Sequence, residues 1–139
     1  MNIRPYQEAD RREVIGLWEE TGLAVPHNDS GKDIDRKSLI DPELFLVGES
    51  DGEVVATVMA GYEGHRGWIN YLAVKPSHQR KGYGRILMEA AEDLLRQKGC
   101  PKINLQVRKT NTDVIEFYSA IGYGDDHVIG LGKRLVHDR

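Results

Sequence analysis

The stretch from Trp68 to Lys98 constrains this chain more than any other part of it. Trp68 to Val74 reads as a strand, ended by Lys75-Pro76, since proline cannot donate to a sheet ladder. From Gly84 to Lys98, Ile86-Leu87, Ala90-Ala91 and Leu94-Leu95 recur every four residues, which is one broad apolar helix face. Between strand and helix stand Gln79, Arg80, Lys81, Gly82, Tyr83, Gly84 and Arg85. Two glycines one residue apart let the backbone turn so that successive N–H groups converge. The helix start adds orphan N–H donors and the positive end of a dipole. Such a junction suits a phosphate-bearing ligand, and Arg80, Lys81 and Arg85 add positive charge. Read alone, Gly82 and Gly84 serve equally well as a plain strand-to-helix turn. No Gly-Lys-Ser/Thr follows, so this is not a P-loop. Leu87 stands where a dinucleotide fingerprint needs its third glycine.

The rest of the chain supplies a sheet and further helices. Asn2 to Tyr6 is a short strand. Asp10 is placed to cap a helix whose apolar stripe is Val14, Leu17 and Trp18, with Gly22 after its last turn. Leu23 to Gly31 reads as loop, and Asp33 to Ile40 as a short helix stopped by Asp41-Pro42. Leu44 to Glu49 and Glu53 to Tyr62 are strands joined by Asp51-Gly52, a pair suited to a tight hairpin turn. Lys102 to Val107 alternates as a strand, Asn111 to Ile121 is a helix, and Val128 to Val136 is a last strand. The order is β-α-α-β-β-β-α-β-α-β, an α+β chain with helices on a mixed sheet.

Composition narrows the class of function. The chain has 139 residues, the size of one domain, expected to span 1–139. Its 19 basic and 22 acidic side chains give a formal charge of −3, so no basic field draws it to nucleic acid or an anionic membrane. No apolar run approaches a membrane span, and no secretory signal is expected at the start. The single cysteine, Cys100, makes no internal disulfide, and no Cys/His spacing points to a metal. A cytoplasmic protein is the expectation.

Three motifs then resemble one family. Gln79-Arg80-Lys81-Gly82-Tyr83-Gly84 is similar to the acyl-CoA pyrophosphate loop of the GNAT N-acetyltransferases. Leu72-Ala73-Val74-x-Pro76 resembles that family's lead-in to the loop. Asn111 through Phe117-Tyr118 and Gly122-Tyr123 resembles its later segment, and Ile3-Arg4-Pro5 with Asp10 its usual opening. Further matches are to a group of small bacterial acetyltransferases within it. The resemblance implies a central mixed, mostly antiparallel sheet flanked by about four helices, splayed between the strand ending at Val74 and the strand 102–107. It implies acetyl-CoA as cofactor and direct transfer of an acetyl group to an amine of a small molecule or protein. It implies that Leu72, Ala73 and Val74 pair with the pantetheine arm, that residues 79–85 bind the pyrophosphate, and that Asn111 contacts the cofactor. It implies that Tyr118 is the general acid for the leaving thiolate. A homodimer is compatible with it. Replacing Gly82 or Gly84 by valine is expected to lower cofactor affinity more than stability.

A phenol, with a pKa near ~10, stays protonated at neutral pH and can donate to a developing thiolate; periodicity alone would make Tyr118 a core aromatic. The base is less visible. Where relatives carry a carboxylate, this chain has Trp68 and Gln106. Glu63 and His65, on the turn before the strand, are the base candidates, beside deprotonation through water. His27, Asn28 and Asp29, with Asp33 and Asp35, are the candidate acceptor contacts. An acyl-CoA-binding sensor without catalysis is the alternative reading.

Overall fold

The computed structural model describes residues 1–24 and 29–138. Five strands hydrogen-bond in chain order: β1 (Asn2–Pro5), β2 (Phe45–Ser50), β3 (Glu53–Tyr62), β4 (Gly67–Val74) and β5 (Ile103–Asn104). The first three pairings are antiparallel and the last is parallel. The β2–β3 hairpin turns where the residue types demand it: Asp51 and Gly52 take φ of 52° and 77°, the doubly positive turn that matches strand twist. Four helices flank the sheet: α1 (Arg11–Glu20), α2 (Ser30–Ser38), α3 (Tyr83–Gln97) and α4 (Thr112–Ala120).

The sheet is covered on both faces. Val14, Leu17 and Trp18 of α1 and Ile34 of α2 pack with Phe45, Val47, Val54, Met59 and Ala73. On the other face Leu87, Met88, Ala91 and Leu95 of α3 and Tyr118 of α4 pack with Leu46, Val55, Ala56, Val58, Ala60 and Ile69. Nearly all of these side chains are buried, so burial of α3's four-residue repeat against β3 and β4 is what holds that helix in place.

Two irregularities in the ladder decide which side chain faces which helix. Between β2 and β3 the register shifts at Gly48/Glu49. Between β3 and β4, Thr57 pairs with Ala73 but Met59 pairs with Asn70, so β4 carries one extra residue there. Tyr71 adopts a left-handed φ of 52° at this bulge. A one-residue insertion reverses the alternation beyond it. Leu72 and Val74 consequently pack with Ile69 toward α3, whereas Tyr71 and Ala73 face α1.

Four expectations need correction. Asp10 does not cap α1 with its side chain. Its carboxylate instead accepts two bonds from the Arg4 guanidinium, both at 2.8 Å, and one from the Gln7 N–H. The second helix begins at Ser30, because Asp29 accepts from the Lys32 N–H and caps it. The strand over 102–107 is reduced to Ile103–Asn104, since its only rungs are Gly67↔Ile103 and Trp68↔Asn104. The strand over 128–136 does not form. Val128, Ile129, Leu131, Leu135 and Val136 are all exposed, and Gly130 and Gly132 contribute no side chain to a ladder.

Candidate active site

The junction between β4 and α3 starts at Lys75, whose N–H donates to Val55 O at 2.7 Å. A short 3-10 turn over Pro76–His78 follows. The Gln79 side-chain N–H₂ donates to Val74 O at 3.0 Å, which straps the loop to the strand end. Arg80 and Gly82 both take positive φ, 65° and 80°, and such alternation of backbone hand aims neighbouring N–H groups inward. The first helical bond of α3 runs from the Ile86 N–H to Gly82 O at 3.1 Å. Among the described residues, the N–H groups of Gly82, Tyr83, Gly84 and Arg85 find no acceptor. Arg80 and Lys81 are exposed beside them, and Arg85 pairs with Glu89 at 3.0 Å.

The two glycines do different work. Gly82 has open space where a Cβ would stand, so its requirement is the left-handed backbone. At Gly84 a Cβ would lie 3.1 Å from Phe117 Cζ and 3.8 Å from Val74 Cγ2. Gly84 is therefore the point where α3, α4 and β4 touch. A side chain there disturbs packing as well as the loop, a departure from the expectation that both glycines serve the ligand first.

That contact brings the predicted elements together. Tyr118 follows Phe117 on α4, with the two rings edge to face at 5.1 Å. Leu72 and Val74 pack on the cluster that contains Tyr118. Burial pushes the Tyr118 phenol up to about 12, and its hydroxyl makes no hydrogen bond among the described residues. Asn111 is the first residue before α4 and its side chain makes no capping bond. From Ile69 to Val74, β4 pairs with no strand on the β5 side among the described residues. Its backbone edge there lies open next to the start of α3.

The opposite side of β4 is closed. The Trp18 indole N–H donates to Thr57 Oγ1 at 2.9 Å, and that hydroxyl donates to Tyr71 O at 2.8 Å. The Tyr71 hydroxyl donates to Asp33 Oδ2 at 2.6 Å, and its ring stacks on Trp18 with centroids 3.8 Å apart. Burial, with the Asp33 carboxylate beside it, holds the Tyr71 phenol protonated far above its ordinary range. Sequence reasoning did not single out Trp18 or Thr57 for this. The one available signal was a lone hydroxyl in the apolar run Val54-Val55-Ala56-Thr57-Val58-Met59.

Other predicted residues fall elsewhere. Glu63 and His65 lie on the turn before Gly67, at the far end of β4. The strand has 8 residues, which at ~3.3 Å each separates that turn from the loop by about 26 Å. The Glu63 carboxylate accepts the N–H groups of His65 and Arg66, the work of a turn residue. Trp68 and Gln106 are exposed. His27 and Asn28 lie outside the described residues, and Asp29 caps α2. A cleft of about 630 Å³ lies between α2 and the C-terminal segment, lined by Asp33, Arg36, Lys133, Arg134 and Leu135 among others. Through Asp33 it adjoins Tyr71. Among the described residues no helix is long and apolar enough to cross a membrane.

Relatives with this arrangement are known. Residues 8–123 match the acetyltransferase (GNAT) family. An acetyltransferase of Yersinia enterocolitica is 46% identical over 139 residues, covering 100% of this chain and 99% of that one. Among solved structures, AAC(6')-Iy in complex with the bisubstrate analogue CoA-S-monomethyl-acetylneamine superposes with a TM-score of 0.75 at 20% identity, over 96% of this chain and 97% of that one. The ribosomal-protein-S18-alanine N-acetyltransferase of Escherichia coli gives 0.71 at 23% identity, over 87% and 76%. With its motif loop, mixed sheet and full-length relatives in agreement, this chain belongs to the GNAT family of acetyltransferases.

Proposed function

We propose that residues 1–139 act as one N-acetyltransferase domain, which moves an acetyl group from acetyl-CoA to an amine by direct attack. The observation that carries this reading is a convergence at one end of β4. Unpaired N–H groups begin α3 there beside the unpaired edge of β4, Phe117 of α4 meets Gly84, and Tyr118 shares a cluster with Leu72 and Val74. Acetyl-CoA is the donor used by this family. In this chain the N–H groups of Gly82 to Arg85 take the diphosphate, with Arg80 and Lys81 alongside. The backbone of Leu72, Ala73 and Val74 pairs with the pantetheine arm, and Asn111 contacts the cofactor. The amine nitrogen bonds to the thioester carbonyl carbon, the C–S bond breaks, and Tyr118 gives its proton to the departing sulfur. Burial keeps the phenol protonated at any working pH, so the proton is present to give.

The cleft between α2 and the C-terminal segment is the candidate approach for the acceptor, although the Asp33 carboxylate there is already engaged by Tyr71 and Arg36. The Glu63 carboxylate is engaged by the N–H groups of His65 and Arg66 on an exposed turn, so in this reading the amine yields its proton to solvent. Reaching the neutral form at pH 7 costs a lysine side chain about 4.6 kcal/mol and an α-amine about 1–1.4. A low-pKa amine is therefore the favoured acceptor class. The test is acetyl-CoA-dependent thiol release against α-amines, N-terminal peptides and lysine side chains, beside thermal stabilisation by CoA and by ATP. Release with an α-amine, and greater stabilisation by CoA than by ATP, is the expected result. CoA binding with no turnover supports the sensor instead, and equal stabilisation by both nucleotides removes the cofactor assignment.

A further inference from the structure

Thr57 and Trp18 are both completely buried, yet neither belongs to the machinery described above. Their polar atoms form one short chain that ends on the backbone of β4. The Trp18 N–H donates to the Thr57 hydroxyl, and this hydroxyl donates to the carbonyl of Tyr71. Tyr71 is the residue held at φ 52° in the bulge. A tyrosine does not adopt that conformation without support. The bulge reverses the alternation of β4, and so it sets the direction in which Leu72, Ala73 and Val74 present side chains and backbone.

From this geometry we infer that Thr57 is a positioning residue for acyl-donor binding. Its hydroxyl, oriented by Trp18, holds the Tyr71 carbonyl and thereby fixes the β4 bulge that turns the Leu72–Val74 edge toward the cofactor. The inference rests on the proposed use of that edge for the pantetheine arm. Two further contacts fit it. The Tyr71 ring stacks on Trp18 at 3.8 Å, and its hydroxyl is held by Asp33 at 2.6 Å. The carbonyl, ring and hydroxyl of one strained residue are thus each held by a different element: β3, α1 and α2. The Thr57 hydroxyl has no other partner to serve.

The test uses the full-length protein with Thr57→Val, which keeps the shape and removes the hydroxyl, and Thr57→Ser, which keeps the hydroxyl and removes a methyl. Trp18→Phe, which keeps the ring stack and removes the N–H, serves if Thr57→Val does not fold. CoA dissociation constants, KM and kcat are measured with melting temperatures, and the Tyr71 Cα chemical shift reports its φ. Thr57→Val is expected to weaken CoA binding about tenfold, the scale of losing the buried bond to the Tyr71 carbonyl, and to move the Tyr71 shift. Thr57→Ser should stay within about twofold of wild type in affinity while losing stability of its own, since a buried methylene-sized deletion destabilises without touching the hydrogen bond. The inference is overturned if Thr57→Val leaves the Tyr71 shift and CoA affinity unchanged. It is equally overturned if both variants lose affinity in proportion to their melting temperatures. A wild-type protein that does not bind CoA would overturn the cofactor reading instead, and the Tyr71 shift still reports on the bulge.

Discussion

Toward α1 and α2, the polar side chains of Trp18, Thr57 and Tyr71 are all paired, whereas toward α3 and α4 the Tyr118 hydroxyl and the first N–H groups of α3 have no hydrogen-bond partner among the described residues. On the first side the Trp18 N–H, the Thr57 hydroxyl and the Tyr71 hydroxyl each have an acceptor within 2.9 Å. On the second side the Tyr118 hydroxyl and the N–H groups of Gly82 to Arg85 have none among the described residues. Donors that the fold leaves unpaired at one place are met by water or by a ligand. Closed networks, by contrast, rigidify what they touch. Under the proposed function the contrast separates two tasks within one strand: the α1 side sets the shape of β4, and the α3 side uses that shape.

Breaking the reactive side should produce the largest effect. Tyr118→Phe is expected to lower kcat about 10²-fold, the lower range for a general acid, with CoA affinity and melting temperature nearly unchanged because the hydroxyl has no partner to lose. The same residue has a signature in alkali. Its folded value of about 12 lies above the ordinary 10, so its contribution to stability is complete below pH 10 and is lost as pH rises toward 12. Tyr118→Phe should remove that part of the alkaline destabilisation in a pH series of melting temperatures. Equal loss of kcat and of CoA binding would move Tyr118 to the structural side of the contrast.

The glycines sharpen it next. Gly82→Val forces a β-branched residue into left-handed backbone at about 1–3 kcal/mol, and is expected to weaken CoA about tenfold, read by calorimetry. Gly84→Ala pushes on Phe117 and should lower stability by about 1–3 kcal/mol, read by denaturant titration. If the two variants behaved alike, the division between loop conformation and packing would fail. The smallest effect belongs to the remote turn. Glu63→Gln and His65→Gln should leave kcat/KM within about twofold of wild type, since the proposed reaction passes the amine's proton to solvent. A large loss in either would bring the far end of β4 into the reaction.

Much of this was legible along the chain because it depended on neighbours in sequence. The Asp51-Gly52 turn, the four-residue repeat of α3 and the Gly82-x-Gly84 junction each follow from local backbone and side-chain chemistry, and each stands where expected. Tyr118 and the loop were read together only through a motif resemblance, and the contact that joins them, Phe117 against Gly84, was not visible. Other readings failed where local preference yielded to a better partner. Asp10 has the residue type of a cap, but the Arg4 guanidinium competes for its carboxylate and wins. The apolar residues of 128–136 read as a strand despite Gly130 and Gly132, yet a strand requires a neighbour, and the β5 ladder has only two rungs.

By itself, then, the amino-acid order determined which segments turn, which become amphipathic helices and where a glycine-containing strand-to-helix junction lies, because those outcomes are settled within a few residues. Only the tertiary structure decided which way β4 faces beyond Asn70. The bulge depends on hydrogen bonds between residues 39 and 14 positions apart, and one extra residue in a ladder reverses every side chain that follows. No local pattern encodes that reversal, and the open edge beside the α3 N-terminus depends on it.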